Sequence, residues 1–341
     1  MVVVSGNEGS TVNGPGEIRN PKVSVLIPNY NYARYLPEAI DSVLEQDFED
    51  YELLVIDDAS TDESADIIRS YGIRDARIRF RINETNRGMV SNLNDCLEWA
   101  RGEYMKFLLA DDKMVGGGAL GKLVQIMDDH PSVRLVWSAR QLIDEHSRPI
   151  RVRNYGPRSR IEPGIELILE CLGNFRNVIG EPSAVMFRRA DAADEFDPGY
   201  RHLVDLEMWL RLLERGDFAY TPERLSAFRK HSRQQSEVIR EEGRYQPEYV
   251  RLLEKYVDSI VETGRRDILF RMTYQLHKLG NQDPSTQAML YKLNGAWVGR
   301  KLLFYALYAR YKIARPFENL SRALSTRFRP DGLPAPPLHR S

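Results

Sequence analysis

The sequence predicts an α/β fold: an open, mostly parallel sheet flanked by helices, followed by a helical C-terminal extension. Three observations carry this expectation. Short apolar runs alternate with amphipathic stretches from Lys22 to about Trp137. One run, LLVI at 53–56, is continuous, as expected for a parallel strand covered on both faces. Two runs end in paired aspartates, Asp57-Asp58 and Asp111-Asp112, at the edge where open α/β sheets bind ligands.

The elements follow in order. VSVLIP (23–28) is a short strand ending at a proline. Leu36, Ala39, Ile40, Val43 and Leu44 then show the spacing of an amphipathic helix. After LLVI, Ser60 and Glu63 have capping-box spacing and would open a helix carrying Ala65, Ile68 and Tyr71. RIRFRI (77–82) alternates with period two and reads as a strand. Leu93, Leu97 and Ala100 mark the next helix, with Gly102 as its stop. YMKFLL (104–109) is the fourth strand, Leu120 to Met127 a helix, and VRLVW (133–137) the fifth strand.

Past residue 140 the alternation fails. Residues 140–160 are polar and basic, a hairpin or a surface loop. GIELILECL (164–172) reads as a helix, SAVMFR (183–188) as a strand, and LVDLEMWLRLLERG (203–216) as a helix. From about Gln246 the pattern is helical to about Leu324, broken near Gly264 and Gly280-Asn281. The expected organisation is a flexible lead over 1–20, an α/β domain over 21–240, a helical extension over 241–325 and a disordered Pro-rich tail over 326–341.

Composition narrows the classes of function. A net charge of −1 gives no basic field for nucleic acid. Two cysteines, Cys96 and Cys171, are too few for a disulfide framework, which makes the reducing cytoplasm the expected compartment. No run approaches the roughly 20 apolar residues of a spanning helix. Over 295–315 aromatic and basic residues interleave: Leu302, Tyr305 and Ala309 share a face flanked by Arg300, Lys301 and Arg310. Two readings stand for it: an interfacial helix at the inner face of the membrane, or a core or homodimer helix.

The aspartate pairs also admit two readings. Each precedes a helix, where carboxylates are favoured in any protein. Clustered carboxylates nevertheless repel unless a cation or donor groups sit between them, and adjacent hard oxygens suit Mg²⁺ or Mn²⁺ bridging a diphosphate. Their shared place after successive strands favours function. Neither G-x-G-x-x-G after a strand nor a G-x-x-x-x-G-K-[ST] loop occurs.

The stretch VSVLIPNYNYARYLPEAIDSVLEQDFEDYELLVIDDASTDES resembles the family-2 inverting glycosyltransferases of GT-A fold, a Rossmann-like arrangement. The likeness continues through NRGMVSNLNDCLEWARGEYMKFLLADD, RHLVDLEMWLRLLERG and LSAFRKHSRQQS. It implies that Pro28, Tyr30 and Asn31 line the base pocket of a sugar nucleotide, UDP- or dTDP-linked. Asp58, supported by Asp57, would contact the nucleoside. Asp111 and Asp112 stand at the family's Asp-x-Asp region, for ribose and a divalent metal, Mn²⁺ or Mg²⁺. Asp205 matches the catalytic base, and Arg229 and His231 would close over the diphosphate on a mobile loop. Leu109 stands where the family often has the first aspartate, and Val204 replaces the usual glutamate before the base.

The expected function is therefore metal-assisted transfer of a sugar, with inversion, to a glycan or lipid-linked acceptor. Asp205 would take the proton of the attacking hydroxyl, and Trp209, one turn on, would wall it. Glu181 and Pro182 either face the acceptor or form a strand-entry turn. A nucleotidyltransferase would need a basic Gly-rich loop after the first strand, which PNYNYARYL is not. A non-catalytic sugar-nucleotide-binding module would not need Asp205.

Overall fold

The computed structural model describes residues 20–232, 234, 245–279 and 284–295. The expectations for residues 1–19 and 296–341, including membrane or dimer contact through 295–315, lie outside them. The elements run β1 (Val23–Asn29), α1 (Leu36–Leu44), β2 (Tyr51–Asp57), α2 (Ser64–Arg74), β3 (Ile78–Ile82) and α3 (Met89–Trp99). Next come β4 (Tyr104–Phe107), β5 (Lys113–Met114), α4 (Ala119–Asp129), β6 (Val133–Ile143), β7 (Pro149–Arg153) and β8 (Arg160–Pro163). The series ends with α5 (Gly164–Asn174), β9 (Val185–Arg188), α6 (Val204–Leu213) and β10 (Asp217–Arg229), then α7 (Tyr245–Glu262), α8 (Arg266–Leu279) and α9 (Pro284–Gly295).

Among the described residues these strands form one sheet, in the order β3-β2-β1-β4-β9-β6-β10-β5, with β7 on β6 and β8 on β10. The block β3-β2-β1-β4 is parallel, as the alternation predicts. Every residue of β2 is buried, which explains its unalternated run. Val25, Ile27, Leu53 and Val55 point to one face and pack with Leu36, Ile40 and Val43 of α1 and Leu120, Leu123 and Met127 of α4. Each such burial contributes roughly 1.5–3 kcal/mol. Leu26, Leu54 and Ile56 occupy the intervening positions and face the other way.

The pattern fails past residue 140 because β9 enters antiparallel between β4 and β6. The strand expected over 133–137 therefore runs on to Ile143. Its first part pairs with β9, and its last part forms a hairpin with β7. Strands β5, β8 and β10 are short or irregular in pattern and were not predicted. Helices α7 and α8 pack on α5 and α6: Phe175 stacks on Tyr249 with ring centres 5.4 Å apart, and Lys255 pairs with buried Glu207 at 2.7 Å.

Two local expectations are corrected. No capping box forms at α2: the helix begins at Ser64, and Ser60 Oγ donates to Asp57 Oδ1 at 2.6 Å instead. Asp62 Oδ1 accepts from Ser64 N at 3.1 Å in its place. Gly102 does not stop α3, which ends at Trp99. Its role is close approach, because a Cβ there would lie 2.4 Å from Ser24 N. Its own N–H donates to Ser24 Oγ at 2.8 Å, inside a buried network with Glu52 and Arg79. Gly102→Ala forces backbone against backbone and is expected to cost about 2 kcal/mol or more, read as a lower denaturation midpoint with an unchanged m-value.

Candidate active site

The carboxyl ends of β1, β2 and β4 open onto a cleft of about 1150 Å³. Pro28, Tyr30, Asn31, Asp58, Asp111, His231 and Asp205 all line it. The two aspartate pairs reach this edge because their strands are buried neighbours of β1. Once there, each carboxylate is met by protein donors, the second of the two solutions to their mutual repulsion.

Asp57 is fully buried and does not line the cleft. Its Oδ1 accepts from Asn29 Nδ2 at 2.7 Å and its Oδ2 from Ser60 N at 3.0 Å, which fixes the loops after β1 and β2. Asn31 sits in left-handed backbone, φ 58°, and its side chain accepts from Thr61 N at 2.8 Å, tying the same two loops. Asp58 accepts from Asn83 Nδ2 at 3.0 Å, Arg87 N at 2.9 Å and Gly88 N at 2.8 Å. Gly88 leads into α3 at φ 87°, a conformation that glycine adopts without strain. Leu93 and Cys96, which replace an arginine and a glycine common in the family, are buried on that helix.

The second pair divides. Asp111 faces the cleft, and its Oδ2 lies 3.0 Å from His231 Nε2. Asp112, grouped with Asp111 as a metal ligand from the sequence, lies behind the cleft wall with no exposure. Its Oδ2 accepts from Ser183 Oγ at 2.5 Å and its Oδ1 from Arg229 N at 2.9 Å. Burial, and then the Asp111 charge, push the Asp112 carboxyl well above the usual range. Behind it, Lys106 is also buried, and loss of water lowers its ammonium to about 7.

Arg229 likewise departs from its expected place on a mobile loop. It ends β10, 1% exposed, and does not line the cleft. Its guanidinium donates to Asp111 O at 2.7 Å, Ser147 Oγ at 2.9 Å and Glu38 Oε2 at 2.5 Å, and it lies 4.6 Å from the centre of the Tyr35 ring. Burial opposes ionisation of Glu38, but Lys113, Ser147 and Arg229 outweigh it and hold its carboxyl down at about 2. The Tyr35 ring also lies against His231, tilted by 38° with centres 5.2 Å apart.

Asp205 stands in the first turn of α6, half-buried rather than exposed. Its Oδ2 accepts from Asn177 Nδ2 at 3.1 Å, and its Oδ1 from Leu206 N at 2.7 Å. Burial, and behind it the Glu181 carboxylate, raise its carboxyl from 3.8 to about 7, against the pull of Leu206 N and Arg140. Trp209 does not wall the base. It is fully buried against Phe187 and Phe196, and its Nε1 donates to Gly180 O at 3.3 Å. Glu181 and Pro182 line the cleft, and Glu181 pairs with Arg140. Gly180, φ 114°, lies so close to Arg140 that a Cβ would meet its Cζ at 2.5 Å.

Asn177, Glu38 and Glu248 were missed in the sequence. Glu248 on α7 accepts from Arg201 N at 3.0 Å, His202 N at 2.9 Å and Leu203 N at 2.8 Å, capping the turn that leads to Asp205. No spacing rule links residues so far apart in the chain. Only the polar type at a helix start hinted at Glu248.

A cleft of that size at the strand ends, with Asp205 and Glu181 in its wall, stands where open α/β sheets bind ligands. Residues 24–194 match the family described as Glycosyl transferase family 2, and the chain belongs to that family. It is 32% identical over 200 residues to TuaG of Bacillus subtilis, whose name proposes a glycosyltransferase of teichuronic acid biosynthesis; the match covers 59% of this chain and 75% of that one. It is 38% identical over 106 residues to a GalNAc(5)-diNAcBac-PP-undecaprenol beta-1,3-glucosyltransferase of Campylobacter jejuni, covering 31% of this chain and 34% of that one. The fold is similar to that of S. aureus TarS 1–349 in complex with UDP-GlcNAc. The TM-score is 0.55 at 17% identity, over 82% of this chain and 73% of that one. The protein is thus a family-2 glycosyltransferase, with the GT-A type of sheet expected of it.

Among the described residues no three His, Cys, Asp or Glu side chains converge on one point as a metal set. Asp111 and His231 offer two donors at the cleft. Mg²⁺ commonly takes one or two protein ligands and completes its shell with substrate phosphates and water, so the pair fits such a cation.

A carboxyl raised to about 7 contributes stability at pH below 3.8 that is lost as pH rises through 7. Asp205→Asn removes that loss. The variant is expected to gain thermal stability over wild type at pH 8 and to gain none from this source near pH 3, measured by calorimetry at both values.

Proposed function

We propose that the protein transfers a hexosyl group from a nucleotide-diphosphate sugar, UDP- or dTDP-linked, to an acceptor hydroxyl, with inversion at the anomeric carbon. The observation that carries this is one cleft lined by Asp58 and Asp111 at the strand ends and by Asp205 on a helix. Pro28, Tyr30 and Asn31 would hold the base, and Asp58 the nucleoside. Asp111 and His231 would face the diphosphate and hold a divalent cation. Bound there, Mn²⁺ or Mg²⁺ would stabilise the charge that develops on the departing diphosphate.

In that reading the acceptor oxygen bonds to the anomeric carbon as the bond to the nucleoside diphosphate breaks, and the acceptor proton passes to Asp205. A carboxylate of pKa about 7 suits this task, being partly unprotonated near neutral pH and basic enough to accept. A single in-line displacement inverts the carbon. Arg229, though not at the cleft, would position Asp111 through its backbone oxygen. The names of the TuaG and Campylobacter relatives and the UDP-GlcNAc bound to TarS support a role in building a cell-surface polysaccharide or glycolipid.

Asp205→Asn is expected to lower kcat/KM by roughly 10²–10⁴-fold while UDP titrates to the variant as to wild type. In wild type, kcat/KM should rise with pH around 7, because the unprotonated carboxylate is the working form. A variant with unchanged turnover, or a flat profile from pH 6 to 8, would remove Asp205 from this role.

A further inference from the structure

Beside Asp205 one arginine of the cleft wall, Arg153, heads a group of arginines that the donor reading does not use. Arg153 lines the cleft together with Glu181 and Asp205. In the β6–β7 hairpin it stands directly opposite Arg140, and Arg151, two residues earlier, shares its face of the strand. Like charges directly opposite each other destabilise an antiparallel pair, so this hairpin is built against its own stability. Arg176, in the turn after α5 next to Asn177, whose amide holds Asp205, adds its charge to the field at Arg153.

Among the described residues one carboxylate forms an ion pair within this group. Glu181 pairs with Arg140, which also donates to Ile179 O at 3.3 Å, so the Arg140 charge is already answered. No acidic side chain among the described residues forms an ion pair with Arg151, Arg153 or Arg176. Burial and the guanidiniums of Arg140, Arg151 and Arg176 push Arg153 below its ordinary range, against the pull of Glu181. An oxyanion placed among the arginines would remove that repulsion.

The place in the fold says which substrate would bring it. Apart from His231, which follows β10, the proposed donor contacts belong to the loops after β1, β2 and β4. The hairpin lies on the other half of the sheet, beyond β9. What sits there, beside the base, is the acceptor. Resting on the proposed reading of Asp205, we propose that the acceptor is a phosphate-bearing one, its phosphate or diphosphate held by Arg153, Arg151 and Arg176 while its hydroxyl is presented to Asp205. Guanidinium forks match phosphate oxygens in pairs, which fixes orientation as well as affinity. The phosphate can belong to a lipid carrier or to the sugar chain itself; the site recognises the same chemistry in both.

The test is a titration of the full chain, with and without saturating UDP, using glucose 6-phosphate and farnesyl phosphate as probes and glucose and farnesol as their uncharged counterparts. At least one phosphorylated probe should bind the UDP-saturated protein far more tightly than its counterpart. Arg153→Gln combined with Arg176→Gln should weaken that binding by about tenfold or more, with UDP affinity unchanged. The better of the two probes identifies the source of the phosphate. The proposal falls if neither phosphate is preferred to its counterpart or if the double variant binds like wild type. It also falls if Arg69→Gln, an exposed arginine on α2, weakens binding as much. Failure of UDP to bind wild type would sink the donor reading instead, and the titrations without UDP would still read the arginines.

Discussion

Carboxylates carried to the end of a buried strand must be given hydrogen-bond donors or a cation, because an unmet buried charge costs several kcal/mol. At this site the donors come from segments far apart in the chain. Asp57 draws in Asn29 and Ser60, Asp58 the loop before α3, and Asp112 both Ser183 before β9 and the backbone of β10. Each aspartate thereby ties together the segments that leave neighbouring strands where their ladders end. The cleft is the space left once those ties are made.

One aspartate at each strand end has the structural task and its neighbour the open face. Asp57 and Asp112 are closed in by partners, while Asp58 and Asp111 line the cleft. At the end of β2, strand alternation turns Asp57 and Asp58 to opposite sides. Asp111 and Asp112 part instead in the turn between β4 and β5, where Asp112 N donates to Leu109 O at 2.9 Å. Arg229 extends the same economy. It spends its charge inside the protein, on Glu38 and on the backbone of Asp111, and so holds the cleft-facing aspartate without touching the cleft.

Asp205 depends on a second set of ties. Asn177 approaches from the turn after α5, and Glu248 caps the approach to α6 from the helical region after β10. The helices that follow the sheet domain therefore help to set the position of the proposed base. The same packing removes water from Asp205, and that loss, with Glu181 nearby, lifts its carboxyl to about 7. The protein carries a carboxyl whose ionisation weakens the fold as pH rises towards and through 7.

By itself the sequence determined the parallel block β3-β2-β1-β4, its helices, and the delivery of Asp58 and Asp111 to one edge. Those are consequences of apolar periodicity and of motifs read within short windows. Tertiary structure decided that Asp112 and Arg229 are anchors, that Trp209 is core, and that Ser60 serves Asp57 rather than a helix start. It also decided that β9 splits the sheet and that Asn177 and Glu248 stand guard over Asp205. Burial and hydrogen-bond partners across many tens of residues settle such matters, and a local pattern contains neither.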